Sequence, residues 1–355
     1  MQDRMMAAVL YGVGDVRLEQ RPVPVPGAGE VLVRVHRVGV CGSDVHYFRD
    51  GRIGHYVVQA PMVLGHESAG EVVALGSDVT TLKIGDRVAL EPGYTCGTCR
   101  YCKSGRYNLC PDVVFMATPP VDGALAQYVA WPATHCFPLP ESMTMDDGAM
   151  MEPLAVGLWA VERGRVRPGD VVAVFGCGPI GLLTLQAART AGAARLIAVD
   201  IAPARLAHAR RLGATDVVDD RSGDATEQIR QLLAGSGDAW SSMGVDVALE
   251  TAGSVRTTRN TLQVTRPGGV AVLTGLPAQP MVELDIVSAA SKEIDIRGQF
   301  RYANRYPPAI ALAGSGRIDV RSLVTHHFDL MHAQEALEFA DARKDVAIKV
   351  MIDLV

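Results

Sequence analysis

Aromatic residues make up only 5% of the 355-residue chain, and positive charge is not in surplus: 34 lysines and arginines stand against 39 acidic residues, a formal net charge of −5. That balance gives no general attraction to nucleic acid or to an anionic lipid surface, and no local basic cluster supplies one. No unbroken apolar run reaches the roughly eighteen residues of a membrane-crossing helix. The opening run from Met1 to Leu10 moves straight into strand-like sequence, without the apolar core of a signal peptide. No internal repeat or low-complexity tract is evident, which sets aside solenoids and linkers. The expectation is a soluble, cytoplasmic protein whose partner is a small molecule, with no nucleic acid and no membrane involved.

What is present is a globular profile, 48% apolar and 21% charged, at a length that suits two domains. Seven cysteines stand at positions 41, 96, 99, 102, 110, 136 and 177. Four of them, Cys96, Cys99, Cys102 and Cys110, crowd into one short stretch. Two successive C-x-x-C steps and a fourth cysteine eight residues on can close a tetrahedral thiolate site on one loop, with no position left open. Such a zinc is structural, a reading kept ahead of an iron–sulfur cluster on the same thiols.

The middle of the chain is organised around Val171 to Asp200. A short β-branched apolar run leads into Gly176-Cys177-Gly178-Pro179-Ile180-Gly181, then a helical run, then a second apolar segment ending on Asp200. This is a complete βαβ unit with the three glycines that a dinucleotide needs: one for the tight turn, one for close approach of the pyrophosphate, one for helix packing. The helix start then faces the diphosphate with its free N–H groups. Asp200 can accept both ribose hydroxyls and would repel a phosphate there, which favours NAD over NADP; it also suits a strand-end turn. Arg205 could cover the adenine or ribose, or sit on the surface as an ordinary helix arginine. The βαβ rhythm continues to about Gly275, which predicts a doubly wound parallel sheet.

Residues 1 to about 90 are broken by glycines and turn-rich runs between short β-rich segments, and predict an irregular β-barrel-like domain. Cys41-Gly42-Ser43-Asp44-Val45-His46-Tyr47 and Gly65-His66-Glu67 each fall where a strand meets a loop. A thiolate, an imidazole and a carboxylate are competent zinc ligands, and a catalytic site uses three of them with a fourth position open. Taken singly, Cys41 also reads as a small buried apolar residue, His66 as a hydrogen-bonded core histidine and Glu67 as a surface acid. Glu152 lies in a mostly apolar run, where it is either a helix-turn carboxylate or a metal or substrate contact.

Together with Pro61-Met62-Val63-Leu64-Gly65-His66-Glu67, Ala117-Thr118-Pro119-Pro120, Met151-Glu152-Pro153-Leu154-Ala155 and Phe300-Arg301-Tyr302, these motifs extend over essentially the whole chain. The pattern resembles the zinc-dependent medium-chain dehydrogenases, and within them the polyol branch of sorbitol and xylitol dehydrogenases. The resemblance implies an α/β architecture: a Rossmann domain (156–294) inserted into a GroES-like catalytic domain (1–155 and 295–355). It implies a catalytic zinc on Cys41, His66 and a glutamate, Glu67 first and Glu152 as the exchangeable alternative, and a structural zinc on Cys96, Cys99, Cys102 and Cys110. Ser43 is then the hydroxyl that takes the alcohol proton and His46 the relay to solvent. Tyr47, Phe115, Glu152, Arg301 and Tyr302 line the polyol pocket, and Gly176, Gly178, Pro179, Ile180, Gly181, Asp200 and Arg205 hold NAD. The implied reaction is oxidation of xylitol or sorbitol to the 2-ketose, by a homotetramer with a subunit contact near Gly275 to Asp285. The rivals are a dehydrogenase of another secondary alcohol (threonine, butanediol or a sugar acid, the last kept open by Arg301) and a catalytically silent NAD-binding zinc protein.

Overall fold

The structure is a computed structural model that describes residues 3–235 and 243–355, so Met1 and Gln2 of the opening run lie outside the described residues. The chain forms two compact units. One comprises Met1–Glu152, Tyr306–Gly316 and Val320–Val355; the other comprises Pro153–Arg305 and Arg317–Asp319.

The first unit is built on the strand Glu30–Gly39, whose Val31, Leu32, Val33, Val35 and Val38 are fully buried. Burying each such side chain contributes about 1.5–3 kcal/mol relative to leaving it in water. This strand pairs antiparallel with Glu67–Leu75, with Lys349–Asp353 and with Tyr128–Pro132. Arg87–Leu90 and Cys136–Pro138 extend the sheet on one side and Val324–Asp329 on the other. A separate three-stranded sheet runs in the order Asp15–Pro22, Arg4–Gly12, Met62–Val63. The register at the end of the central strand matters most for function. Gly39 lies opposite both Glu67 and Met351, and the helix Gly42–Asp50 starts just beyond it with Cys41 as its N-cap. Two strand neighbours and one helix start are thereby brought to a single point.

The second unit holds a six-stranded parallel sheet in the order Asp216–Asp219, Arg195–Asp200, Val171–Phe175, Val245–Glu250, Thr265–Leu273, Asp295–Gly298. Helices connect the strands. Val171–Phe175 is buried along its whole length, as a central parallel strand must be, which is why it reads as an unbroken apolar run. It is flanked by Arg195–Asp200 on one side and Val245–Glu250 on the other, so the strand order reverses at its carboxyl end, the place where doubly wound sheets bind ligands.

The return to the first unit comes at Tyr306, later than the boundary expected at 295. Asp295–Gly298 completes the parallel sheet instead, pairing with Val270 to Leu273. An edge strand has one unpaired side and tolerates polar residues, so Asp295 and Arg297 read like barrel sequence although they close the other sheet.

Candidate functional site: two metal clusters and a dinucleotide crevice

The four-cysteine lobe is assembled locally. Cys99 caps the short helix Arg100–Lys103, and Cys110 follows the turn Tyr107–Leu109. The Cys99–Cys102 and Cys96–Cys110 sulfurs are 3.5 Å apart and Cys96–Cys102 3.9 Å. Sulfurs at about 2.3 Å from a tetrahedral zinc would be about 3.8 Å apart, so the lobe fits the ion without rearrangement. Backbone N–H groups of Thr98 and Cys99 pull the Cys96 thiol down to about 6, which favours the thiolate that a metal needs.

The second cluster is assembled over distance. Ligand atoms of Cys41, His66 and Glu67 lie within 4.8 Å of one another. His66 and Glu67 are buried and Cys41 is half-buried. One thiolate, one imidazole and one carboxylate make a donor set that suits a catalytic zinc.

Two residues that the sequence reading did not single out hold this cluster in place. Asp44, 1% exposed, accepts from the Cys41 N–H at 3.0 Å and from the Gly65 N–H at 2.9 Å, tying the two ligand loops together. Its Oδ1 lies 3.7 Å from His66 Nδ1, a charge contact rather than a hydrogen bond. Burial opposes protonation of His66, yet Asp44 and Cys41 outweigh it and raise the imidazole well above its ordinary value. The second is Lys349, from the closing strand. Its Nζ donates to both Glu67 oxygens, at 2.8 and 2.6 Å, and to the Val40 carbonyl at 3.1 Å. An acid three residues after Cys41 at a helix start, and a lone cation inside apolar strand sequence, are the signals that could have found them.

The other expected residues fall out as follows. Ser43 is half-buried in the first turn of the Cys41-capped helix, and Tyr47 is buried on it. His46 is partly exposed, with Nδ1 3.2 Å from Asp50 Oδ2. The Phe115 ring centroid is 5.8 Å from that of His66. Glu152, 5% exposed, is in the first turn of the helix Met151–Gly164 and outside the 4.8 Å cluster, although its charge acts on Lys349 and on Glu91. Glu91 is a further missed carboxyl: burial pushes it up to about 7, against the opposing hydrogen bond from Tyr107 Oη at 2.6 Å. Arg301 and Tyr302 belong to the second unit, where the Arg301 guanidinium lies over the Phe300 ring at 4.7 Å and Tyr302 is buried.

In the second unit the glycine turn follows its expected division of labour. Gly176 has φ +95°, and a Cβ on Gly181 would sit 1.8 Å from the Gly176 carbonyl oxygen. Gly178 caps the helix Pro179–Thr190, with Pro179 in its first turn, and a Cβ there would meet nothing closer than Arg205 Nη1 at 3.7 Å. Backbone is therefore open to a diphosphate at Gly178, with Ile180 half-buried beside it. Asp200 accepts from the Cys177 N–H at 2.6 Å and the Ala202 N–H at 2.8 Å, which fixes its carboxylate at the strand end with lone pairs to spare. Thr251, also missed, braces the turn from the neighbouring strand, and Glu250 beside it orders the loop that follows. Thr251 Oγ1 donates to the Phe175 and Gly176 carbonyls at 2.9 and 3.1 Å. Glu250, fully buried, gathers the N–H groups of Ala252 and Gly253.

Residues 27–141 match the family described as "Alcohol dehydrogenase GroES-like domain" and residues 179–315 that described as "Zinc-binding dehydrogenase". Sorbitol dehydrogenase of Bacillus subtilis is 45% identical over 98% of this chain and 97% of its own length. Probable D-xylulose reductase A of Arthroderma otae is 44% identical over 97% and 96%. A crystal structure of an Escherichia coli oxidoreductase of unknown specificity superposes with a TM-score of 0.93 at 40% identity, covering 99% of both chains. With the metal clusters, the dinucleotide crevice and nearly full-length identity all agreeing, the chain belongs to the zinc-binding medium-chain dehydrogenases, in their polyol branch.

Proposed function

We propose that the protein is an NAD-dependent, zinc-requiring polyol 2-dehydrogenase that oxidises xylitol or sorbitol to the corresponding 2-ketose. The observation that carries this reading is the largely buried Cys41–His66–Glu67 cluster, in a chain 45% identical to a sorbitol dehydrogenase. Cys41, His66 and Glu67, with Glu152 as the alternative carboxylate, would hold the catalytic zinc; Cys96, Cys99, Cys102 and Cys110 would hold the structural one. When bound, zinc supplies Lewis acidity that makes a coordinated secondary alcohol acidic near neutral pH, and NAD supplies the hydride acceptor.

The rest of the work falls to the chain's own side chains. Ser43 receives the alcohol proton and His46, partly exposed, passes it to solvent. Tyr47 and Phe115 shape the polyol pocket, and Arg301 and Tyr302 are proposed as further substrate contacts. Asp200 receives the ribose hydroxyls, the N–H groups at Gly178 the diphosphate, and Arg205 covers the adenosine. The enzyme works in the cytoplasm as a homotetramer. Exposed Leu276, Met281, Ile286 and Val287 provide an apolar surface in the second unit suited to a second copy.

A panel of xylitol, sorbitol, threonine, butanediol and a sugar acid, assayed with NAD and with zinc content measured, tests the reading. Polyol turnover with two zinc ions per chain is the expected result. Faster turnover of any non-polyol, or NAD binding without oxidation of any member, overturns it.

A further inference from the structure

We propose that Lys349 is a positioning residue that holds Glu67 back from the metal and thereby lowers the zinc affinity of the Cys41–His66–Glu67 site. The inference rests on the reading that this cluster holds zinc.

All three Nζ donors of Lys349 are spent on this neighbourhood, two on the Glu67 oxygens and one on the carbonyl that precedes Cys41. The pair is fully desolvated, with side-chain exposures of 3% for Lys349 and 1% for Glu67. On its other side the carboxylate rests on Gly39, where an added Cβ would lie 2.2 Å from Glu67 Oε2. Glu67 is therefore gripped between an ammonium and bare backbone. Charge-assisted bonds to both oxygens draw electron density from the carboxylate, and turning an oxygen fully toward a metal means lengthening one of them in a site buried from bulk solvent. Breaking a buried ion pair outright is costly, so the ammonium stays and Glu67 is shared. The charges agree: Glu67, Cys41 and Glu152 all act electrostatically on Lys349, whose ammonium tempers a pocket rich in acidic groups.

If Lys349 were only a scaffold, removing it would loosen the ligands and weaken zinc binding. If it competes with the metal, removing it frees Glu67 and strengthens zinc binding. The sign of the change separates the two. Chelator competition on the full-length protein, with each variant measured against its C41S counterpart to isolate this site, gives the affinity. Lys349→Met is expected to bind zinc at least tenfold more tightly than the unsubstituted protein. Lys349→Arg keeps the charge and the paired bonds, and is expected to stay within about threefold of it. Should the methionine variant fail to fold, Lys349→Gln, which still donates to Glu67 without the charge, is expected to gain affinity in the same direction. Unchanged or weaker binding in the neutral variant overturns the proposal, as does an arginine variant that gains as much as the neutral one. A separate result, an unsubstituted protein holding no more zinc than its C41S form, would instead defeat the zinc reading of the cluster itself.

Discussion

The lobe containing Cys96 to Cys110 and the centre at Cys41, His66 and Glu67 are both fit for zinc, but they are made in opposite ways. The lobe draws its ligands from a single loop, with three of its four cysteines half-buried, and its geometry follows from spacing alone. The centre draws ligands from two loops that Asp44 ties together, and its carboxylate is gripped by Lys349, 282 residues away. Its acidic groups are buried, so each charge has to be answered by another. A closed metal site can be local because thiolates saturate the ion; an open site in a dry pocket needs charge-balancing residues from elsewhere in the chain.

That contrast can be broken by substitution. The largest effect is expected for Cys41→Ser: polyol turnover should fall by on the order of a thousandfold. Zinc content should drop by one ion per chain with thermal unfolding little changed, as metal analysis and calorimetry would report. Cys110→Ser should do the reverse, costing about 3 kcal/mol of stability in denaturant unfolding while turnover per folded molecule persists. Equal effects of the two variants on stability and turnover would erase the distinction drawn between the sites.

Asp44→Asn should weaken zinc at the centre by about 10–100-fold and leave the lobe's ion untouched, a split that cobalt substitution can read from the two sites' spectra. The smallest effect concerns Glu91, whose Tyr107 partner belongs to the lobe. Its folded-state value of about 7 lies above its ordinary 4.5, so the native protein binds the extra proton between those values. Stability should therefore fall as pH rises through that window, and Glu91→Gln should flatten the slope. An unchanged slope in the variant would show that another group sets it.

The glycine turn shows what was readable in advance. Gly176, Gly178, Gly181 and Asp200 sit in one short segment, and each acts through its own backbone or a neighbour's. Their partner Thr251 was not readable, because nothing local to it says that it braces a turn some 75 residues away. The sheet that Asp295–Gly298 joins is not legible in the sequence for a related reason. Its alternation fits any half-exposed strand, and only pairing with Val270 to Leu273 decides which sheet it joins.

Residue type and spacing alone established the four-cysteine lobe, the glycine turn and the βαβ order, because those features close over a few residues and depend on short-range geometry. Folding alone decided that Gly39 would face both Glu67 and the strand of Lys349, and that Asp44 would bridge two ligand loops. Strand register over hundreds of residues is set by burial of the whole core rather than by any local signal, and it is register that delivers a lysine to a glutamate in the one place where neither could be buried unpaired.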